Sequence, residues 1–204
     1  MDNKKVGILG GTFDPIHIGH LILAESAYSQ FGLDTVLVMP SGNPPHKPDR
    51  HITDRLHRNK MVQLAIEDNG HFKLSLFEQE RTGYIYTADT LRLLKENNKD
   101  CDYYFIVGGD SLALMDTWYR PESIFENAVI LAAVRNDITD TVLNLKINEY
   151  REKYDARIEF LKIPNIDISS SDIRERVFKG ESIKYRVPKD VERYIYNNRL
   201  YNKL

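Results

Sequence analysis

The most distinctive residues of this chain are two histidines that follow a pair of glycines near the amino terminus. The stretch GGTFDPIHIGH comes directly after the apolar run KVGIL and carries His17 and His20 three positions apart. Residues with this spacing are neighbours on one face of a helix, and imidazoles can donate hydrogen bonds to phosphate oxygens. Gly10 and Gly11 let backbone N–H groups approach a ligand closely, and a helix that begins after them directs its positive end to the same point. We therefore interpret the stretch as a phosphate-binding device.

The spacing of this stretch excludes two common nucleotide-binding motifs. It contains no G-x-G-x-x-G dinucleotide fingerprint, and no G-K-[ST] follows the glycines as it does in a P-loop. A metal site built on the two histidines would need a third protein ligand, and no carboxylate lies nearby at ligand spacing. We therefore predict no protein-bound metal at this position.

Six short apolar runs rich in β-forming residues recur along the chain, and amphipathic helical patterns lie between them. This alternation predicts an α/β fold, a single Rossmann-like domain over residues 1–204 with a mostly parallel sheet and helices on both faces. The runs are KVGIL (5–9), TVLVMP (35–40), FKLSL (72–76), YYFIVGG (103–109), AVILAAV (128–134) and RIEFLKI (157–163).

Several helix ends can be predicted from capping residues. The helix after the first strand should stop at Gly32, and the next should run from a capping Asp54 to Gly70. A third helix can begin at a capping Thr87, and the C-terminal helix should hold Pro188 in its first turn.

The unusual residues of the chain all follow predicted strands. Because the carboxyl ends of parallel strands form one rim, where ligands of open α/β sheets bind, we expect these stretches to converge on one site. They are GGTFDPIHIGH, PSGNPPHKP, EQERTGYIYTADT, GGDSLALMDTWYRPE, Arg135 and NIDISSSDIRER.

Composition excludes several classes of function. The 204 residues carry 28 Lys and Arg against 30 Asp and Glu, a formal net charge of −2, so no basic surface for nucleic acid is expected. The single cysteine excludes an intrachain disulfide. No segment resembles a signal peptide or reaches transmembrane length, so we expect a cytoplasmic protein without a membrane partner.

The ordered set of motifs resembles a known family. H-I-G-H after a glycine-rich strand end, with a distant S-S-S-D-I-R, is typical of the nucleotidyltransferase superfamily. Class I aminoacyl-tRNA synthetases share H-I-G-H, but this chain is far too small for one and has no K-M-S-K-S run. GGTFDPIHIGH, PPHK, YTADTL, GGDSL with WY, and ISSSDIRERV together resemble the bacterial nicotinate mononucleotide adenylyltransferases over nearly the whole chain.

The resemblance implies transfer of AMP from ATP to the 5′-phosphate of nicotinate mononucleotide, which gives deamido-NAD and pyrophosphate in NAD biosynthesis. A phosphate monoester has a second pKa of about 6, so the nucleophile is largely dianionic at neutral pH and needs no general base. Mg²⁺ would arrive on the ATP phosphates rather than in a protein cage.

The resemblance also implies the residues on the ATP side. His17, His20 and Arg174 would be catalytic, and the C-terminal helical segment, about 169–204, would carry the second phosphate motif. On its own, SSSDIRER is better explained as an ordinary capped surface helix. The implied ATP-binding residues are Gly10, Gly11, Thr12, Phe13, His17, His20, Gly108, Asp110, Ile168, Ser169, Ser171 and Arg174.

On the acceptor side, Lys47 is a point charge on a proline-stiffened loop, and the only tryptophan, Trp118, could stack on the pyridine ring. Arg135, at the end of the fifth predicted strand, could neutralise part of the phosphate charge. All three residues have a structural alternative: Lys47 could be a solvated loop residue, Trp118 a core aromatic and Arg135 a member of an ion pair. The implied residues for nicotinate mononucleotide are His46, Lys47, Thr87, Trp118, Tyr119 and Arg135.

Two further functions fit the sequence. One is an adenylyltransferase for another phosphate acceptor, such as phosphopantetheine or nicotinamide mononucleotide. The other is a nucleotide-binding sensor without turnover. No missing residue favours the sensor, because both histidines, Lys47 and Arg174 are present. Self-association as a homo-oligomer is open, because no interface can be identified from the sequence.

Overall fold

A six-stranded parallel sheet forms the centre of the protein, with strand order β3-β2-β1-β4-β5-β6. The structure is a computed structural model and describes residues 3–42, 52–135 and 141–202. All six predicted strands are present. They are β1 (Lys4–Gly11), β2 (Thr35–Pro40), β3 (Phe72–Leu74), β4 (Cys101–Gly108), β5 (Val129–Arg135) and β6 (Ile158–Ile163).

Helices cover both faces of the sheet, as the sequence predicts for a single-domain Rossmann-like α/β fold. Successive residues of β1 point to opposite faces, so Leu9 belongs to one buried cluster and Ile8 to the other. The helices are α1 (Ile18–Phe31), α2 (Arg55–Ile66), α3 (Thr87–Asn97), α4 (Gly109–Ala113), α5 (Pro121–Asn127), α6 (Thr141–Tyr154), α7 (Ser170–Lys179) and α8 (Lys189–Asn197). The cluster that contains Leu9 includes residues of α1, α2, α7 and α8, and the cluster that contains Ile8 includes residues of α3, α4, α5 and α6.

Two of the predicted helix ends are confirmed and one is wrong. Gly32 ends α1 in the left-handed conformation, with φ of 58°, and the Asp54 side chain accepts from the Leu56 N–H at 2.8 Å. Helix α2, however, ends at Ile66 rather than at Gly70. Asn69 forms a separate turn there, because its N–H donates to the Ile66 carbonyl. Its side-chain oxygen accepts from the N–H of His71, the residue just before β3.

Two cap assignments were also wrong by one position. Thr87 is the first helical residue of α3, and Tyr86 occupies the cap position without a side-chain bond. Pro188 is the residue before α8 rather than part of its first turn. Proline and threonine each occur both at the cap position and at the first helical position. Sequence preference alone therefore does not decide which of these two positions the residue occupies.

The rim at the carboxyl ends of the strands contains the point where the strand order reverses. Strands β1 and β4 are neighbours, but the chain continues from β1 towards β2 on one side and from β4 towards β5 on the other. A crevice opens between such strands, and it is where open α/β sheets bind ligands. Within the described residues, no helix is long and apolar enough to cross a membrane.

Candidate active site

The loop between β1 and α1 is shaped by close packing around Gly11. A Cβ added at Gly11 would lie 2.9 Å from the ring of Phe13, so only glycine fits there without movement. Phe13 is buried and has φ of 49°, an uncommon backbone conformation for a bulky residue. Its side chain belongs to the core, so any contact of Phe13 with a nucleotide would be made by the backbone.

The two histidines form one compact unit at the start of α1. Their rings stack with centroids 3.6 Å apart, and Nδ1 of His20 accepts from the backbone N–H of His17 at 3.2 Å. His17 is buried, and its Nδ1 has no hydrogen-bond partner among the described residues. A buried polar atom without a partner is rare and costly, so this arrangement is not optimised for the free protein alone.

Burial determines the charge of the pair. It lowers the pKa of His17 to about 4 and lowers the pKa of His20 well below its usual range, with further lowering by the neighbouring His17. Both imidazoles are therefore neutral at pH 7 in the free protein. A polyphosphate placed against them would favour the protonated form, because an opposite charge stabilises it.

This burial predicts a loss of stability in mild acid. The unfolded chain takes up protons below pH 6.5 whereas folded His17 does so only near pH 4, so stability falls as the pH decreases through that interval. For His17 we expect the free energy of unfolding to fall by about 2 kcal/mol between pH 7 and pH 5. Urea unfolding of the wild type and of His17→Asn at both pH values would measure it, and an equal fall in the variant would contradict the assignment.

Helix α7 brings the second predicted phosphate motif to the same loop. Ser169 caps this helix by accepting from the Asp172 N–H at 3.1 Å. Arg174 donates from Nη1 to the carbonyl of Asp14 at 2.6 Å and from Nη2 to Ser171 Oγ at 3.3 Å. The arginine thus contacts the backbone of the β1–α1 loop, and Ile168 packs against the core beside it.

A cavity of about 350 Å³ opens beside the β1–α1 loop, at the rim of the sheet. Trp118 and Phe105 meet edge to face at 6.4 Å, and the rings of Tyr86 and Tyr119 lie 4.3 Å apart. The cavity wall includes six of the residues singled out in the sequence. They are Gly10, Gly11, Thr12, Thr87, Trp118 and Tyr119.

The remaining predicted residues have other positions. Gly108 precedes the short helix α4 and Asp110 lies in its first turn, both exposed at the end of β4. Arg135 is the last residue of β5, and only its backbone is described. His46 and Lys47 lie outside the described residues.

Sequence reasoning missed two charged side chains beside the cavity. Glu78 lies in its wall, accepts from Thr90 Oγ1 at 2.9 Å, and has its pKa raised by burial. Arg58 is only 4% exposed and donates to three backbone carbonyls. A signal for Arg58 was present, because it precedes the buried Met61 and Val62 by three and four positions on the inner face of α2.

Known sequences resemble this chain over most of its length. A family profile described as cytidylyltransferase-like matches residues 8–176. The chain is 47% identical over 198 residues to a probable nicotinate-nucleotide adenylyltransferase of Lachnoclostridium phytofermentans, covering 97% of this chain and 99% of the relative. A protein of the same name from Thermoanaerobacter is 42% identical over 98% of this chain and 95% of its own length.

Solved structures match the fold over the same extent. The nicotinic acid mononucleotide adenylyltransferase of Plasmodium falciparum complexed with NaAD has a TM-score of 0.79, with 97% of each chain covered. The same enzyme complexed with APC has a TM-score of 0.78. The sequence identities are 22% and 21%, so these structures support the fold.

Proposed function

This chain belongs to the cytidylyltransferase-like family and, within it, to the nicotinate-nucleotide adenylyltransferases, and from this premise we propose how its site works. The reaction is transfer of AMP from ATP to nicotinate mononucleotide. An oxygen of the acceptor phosphate forms a bond to the α-phosphorus of ATP. The bond from this phosphorus to the oxygen that bridges the α- and β-phosphates breaks, and pyrophosphate leaves with that oxygen. The products are deamido-NAD and pyrophosphate, so atoms and charge balance without a further reactant.

The chemical demand on the protein is electrostatic. Two polyanions must be held in line, and charge must be stabilised on the transferring phosphoryl group and the departing pyrophosphate. We assign this role to His17, His20 and Arg174, because all three meet at the β1–α1 loop. The neutral state of both imidazoles suits it, since each keeps one N–H donor and can gain a proton as negative charge accumulates.

The cavity supplies the acceptor side, and it is the observation that carries the proposal. Its wall joins the loop glycines to the aromatic side chains, so a planar ring placed against Trp118 would lie beside the phosphate-binding loop. Helix α3 begins at Thr87 in the same wall, and the positive end of a helix favours a carboxylate. These features suit a pyridine ring that bears a carboxylate.

Divalent metal ions commonly accompany the nucleotides in enzymes of this class. We propose that Mg²⁺ enters with the ATP phosphates as part of the substrate. The donor set supports this, because the carboxylate of Asp14, the nearest in the loop, already accepts from Tyr201 and from the Thr53 N–H. Among the described residues no three His, Cys, Asp or Glu side chains form a cluster that could hold the ion.

An acceptor panel tests the proposed function. With ATP and Mg²⁺, we expect pyrophosphate release with nicotinate mononucleotide, and a value of kcat/KM at least about tenfold lower with nicotinamide mononucleotide, because the amide lacks the charge that the α3 terminus favours. Phosphopantetheine should give no product. Release with phosphopantetheine alone would identify a different transferase, and ATP binding without pyrophosphate from any acceptor would identify a sensor.

Two other sequence expectations stay part of this proposal. A cytoplasmic location suits a reaction in NAD biosynthesis, and cell fractionation would test it. Self-association can be tested by analytical ultracentrifugation of the purified chain.

A further inference from the structure

We propose that Arg58 is a positioning residue that sets the distance between the two sides of the cavity. The inference rests on the proposed function, because it concerns how the same site aligns its two substrates. Arg58 lies on α2, is only 4% exposed and is not itself among the residues that line the cavity. It therefore acts through the backbone segments that it binds.

The guanidinium group joins three separate pieces of chain. Nη1 donates to the carbonyl of Thr12 at 2.7 Å, Nε to that of Thr53 at 3.1 Å, and Nη2 to that of Ser41 at 3.3 Å. Thr12 follows β1 and Ser41 follows β2, and both line the cavity. One rigid side chain thus fixes the phosphate-binding loop relative to the segment that leaves the second strand.

The third bond extends this network to the loop that carries the histidines. Thr53 accepts from Arg58 through its carbonyl, and its N–H donates to Asp14 Oδ2 at 3.2 Å. The other oxygen of Asp14 accepts from Tyr201 Oη at 2.7 Å, and the Asp14 carbonyl accepts from Arg174. Arg58 and Arg174 therefore bind the β1–α1 loop at two places, the carbonyls of Thr12 and Asp14.

The chemistry of arginine explains why this position needs a guanidinium. Its planar fork presents donors in fixed directions, whereas a lysine ammonium is a single point that cannot reach three carbonyls at these places. Burial lowers the pKa of Arg58, and the nearby Asp14 and Asp54 oppose that change. The guanidinium stays charged because arginine is not deprotonated in proteins. Burying a charge costs free energy, and the three hydrogen bonds to carbonyl oxygens, together with the nearby carboxylates, offset part of that cost.

Two variants test the proposal. In Arg58→Ala and Arg58→Lys we expect kcat to fall by about 10²-fold and KM for nicotinate mononucleotide to rise, since displacements of about 1 Å can have such effects on rate. Guanidinium chloride at millimolar concentration should restore at least part of the activity of Arg58→Ala by binding to the three carbonyls. It should not restore the activity of Arg58→Lys, whose side chain still occupies the site.

The matched control is Arg151→Ala. Arg151 also donates to a backbone carbonyl, that of Ile158 at 2.8 Å, but it lies on α6 away from the cavity. Wild-type kinetics are expected for this variant, without any response to guanidinium. Kinetic constants of both Arg58 variants within twofold of wild type, or a folded Arg58→Ala that guanidinium does not rescue, would overturn the proposal.

The only tryptophan provides a second measurement that does not need turnover. Trp118 lies in the cavity wall, so its fluorescence reports the geometry there. We expect a shifted emission in Arg58→Ala that returns towards wild type with guanidinium. If the wild-type chain formed no pyrophosphate, the proposed function would fail, while an emission unchanged between wild type and Arg58→Ala would refute the role of Arg58 independently.

Discussion

Replacement of His17 by alanine is expected to lower kcat by about 10²- to 10³-fold, the loss typical when a donor to a developing negative charge is removed. The ring is buried against His20 and lies at the start of α1, beside the loop that we assign to the triphosphate. A neutral imidazole at this position can donate a hydrogen bond in the ground state and take a proton as charge grows. Steady-state pyrophosphate release would measure the effect.

Stability measurements separate this effect from unfolding. The Nδ1 atom of His17 has no partner among the described residues, so its removal breaks no hydrogen bond at that atom. The variant loses the packing of the buried ring against His20, so we expect it to stay folded with a lower melting temperature. His20 is a less suitable target, because its ring accepts from the His17 N–H and its loss also removes this bond. The matched control is His71→Ala, which removes a ring stacked on Tyr28 at 3.9 Å. Near-normal turnover in His17→Ala would refute the role of that histidine.

Replacement of Trp118 by alanine is expected to raise KM for nicotinate mononucleotide by about tenfold or more, with little change in KM for ATP. Stacking of an aromatic ring on an indole contributes roughly 1–3 kcal/mol, and each 1.4 kcal/mol corresponds to about tenfold in affinity. Trp118 and Tyr119 follow each other in the cavity wall, and the edge contact with Phe105 holds the indole in place. Initial rates with one substrate varied at saturation of the other would give both KM values.

The controls for Trp118 are one conservative and one remote substitution. Trp118→Phe keeps a stacking face and should retain most of the affinity. Tyr185→Ala removes an aromatic ring that is 81% exposed and should have wild-type kinetics. A KM for the mononucleotide that stays unchanged in Trp118→Ala would exclude stacking on this side chain.

The sequence alone determined the fold class of this protein and predicted the edge of the sheet at which we propose its site. Runs such as TVLVMP carry apolar residues on both faces of a strand, so they can be recognised as buried strands without knowledge of the neighbouring strand. The predicted limits of β2 equal those observed, Thr35–Pro40. Local caps at Gly32 and Asp54 were also predicted, because each acts within one turn. The motif order identified the family for the same reason: it is contained in short contiguous stretches.

Contacts between distant segments could be decided only by the tertiary structure. Arg174 and Asp14 are separated by 160 positions, and nothing in either stretch specifies that the arginine donates to that carbonyl. The low pKa of His17 likewise follows from burial by the folded chain, which residue type does not reveal. Arg58 shows the limit most clearly, because its three partners are backbone carbonyls, which every residue carries and no sequence pattern distinguishes.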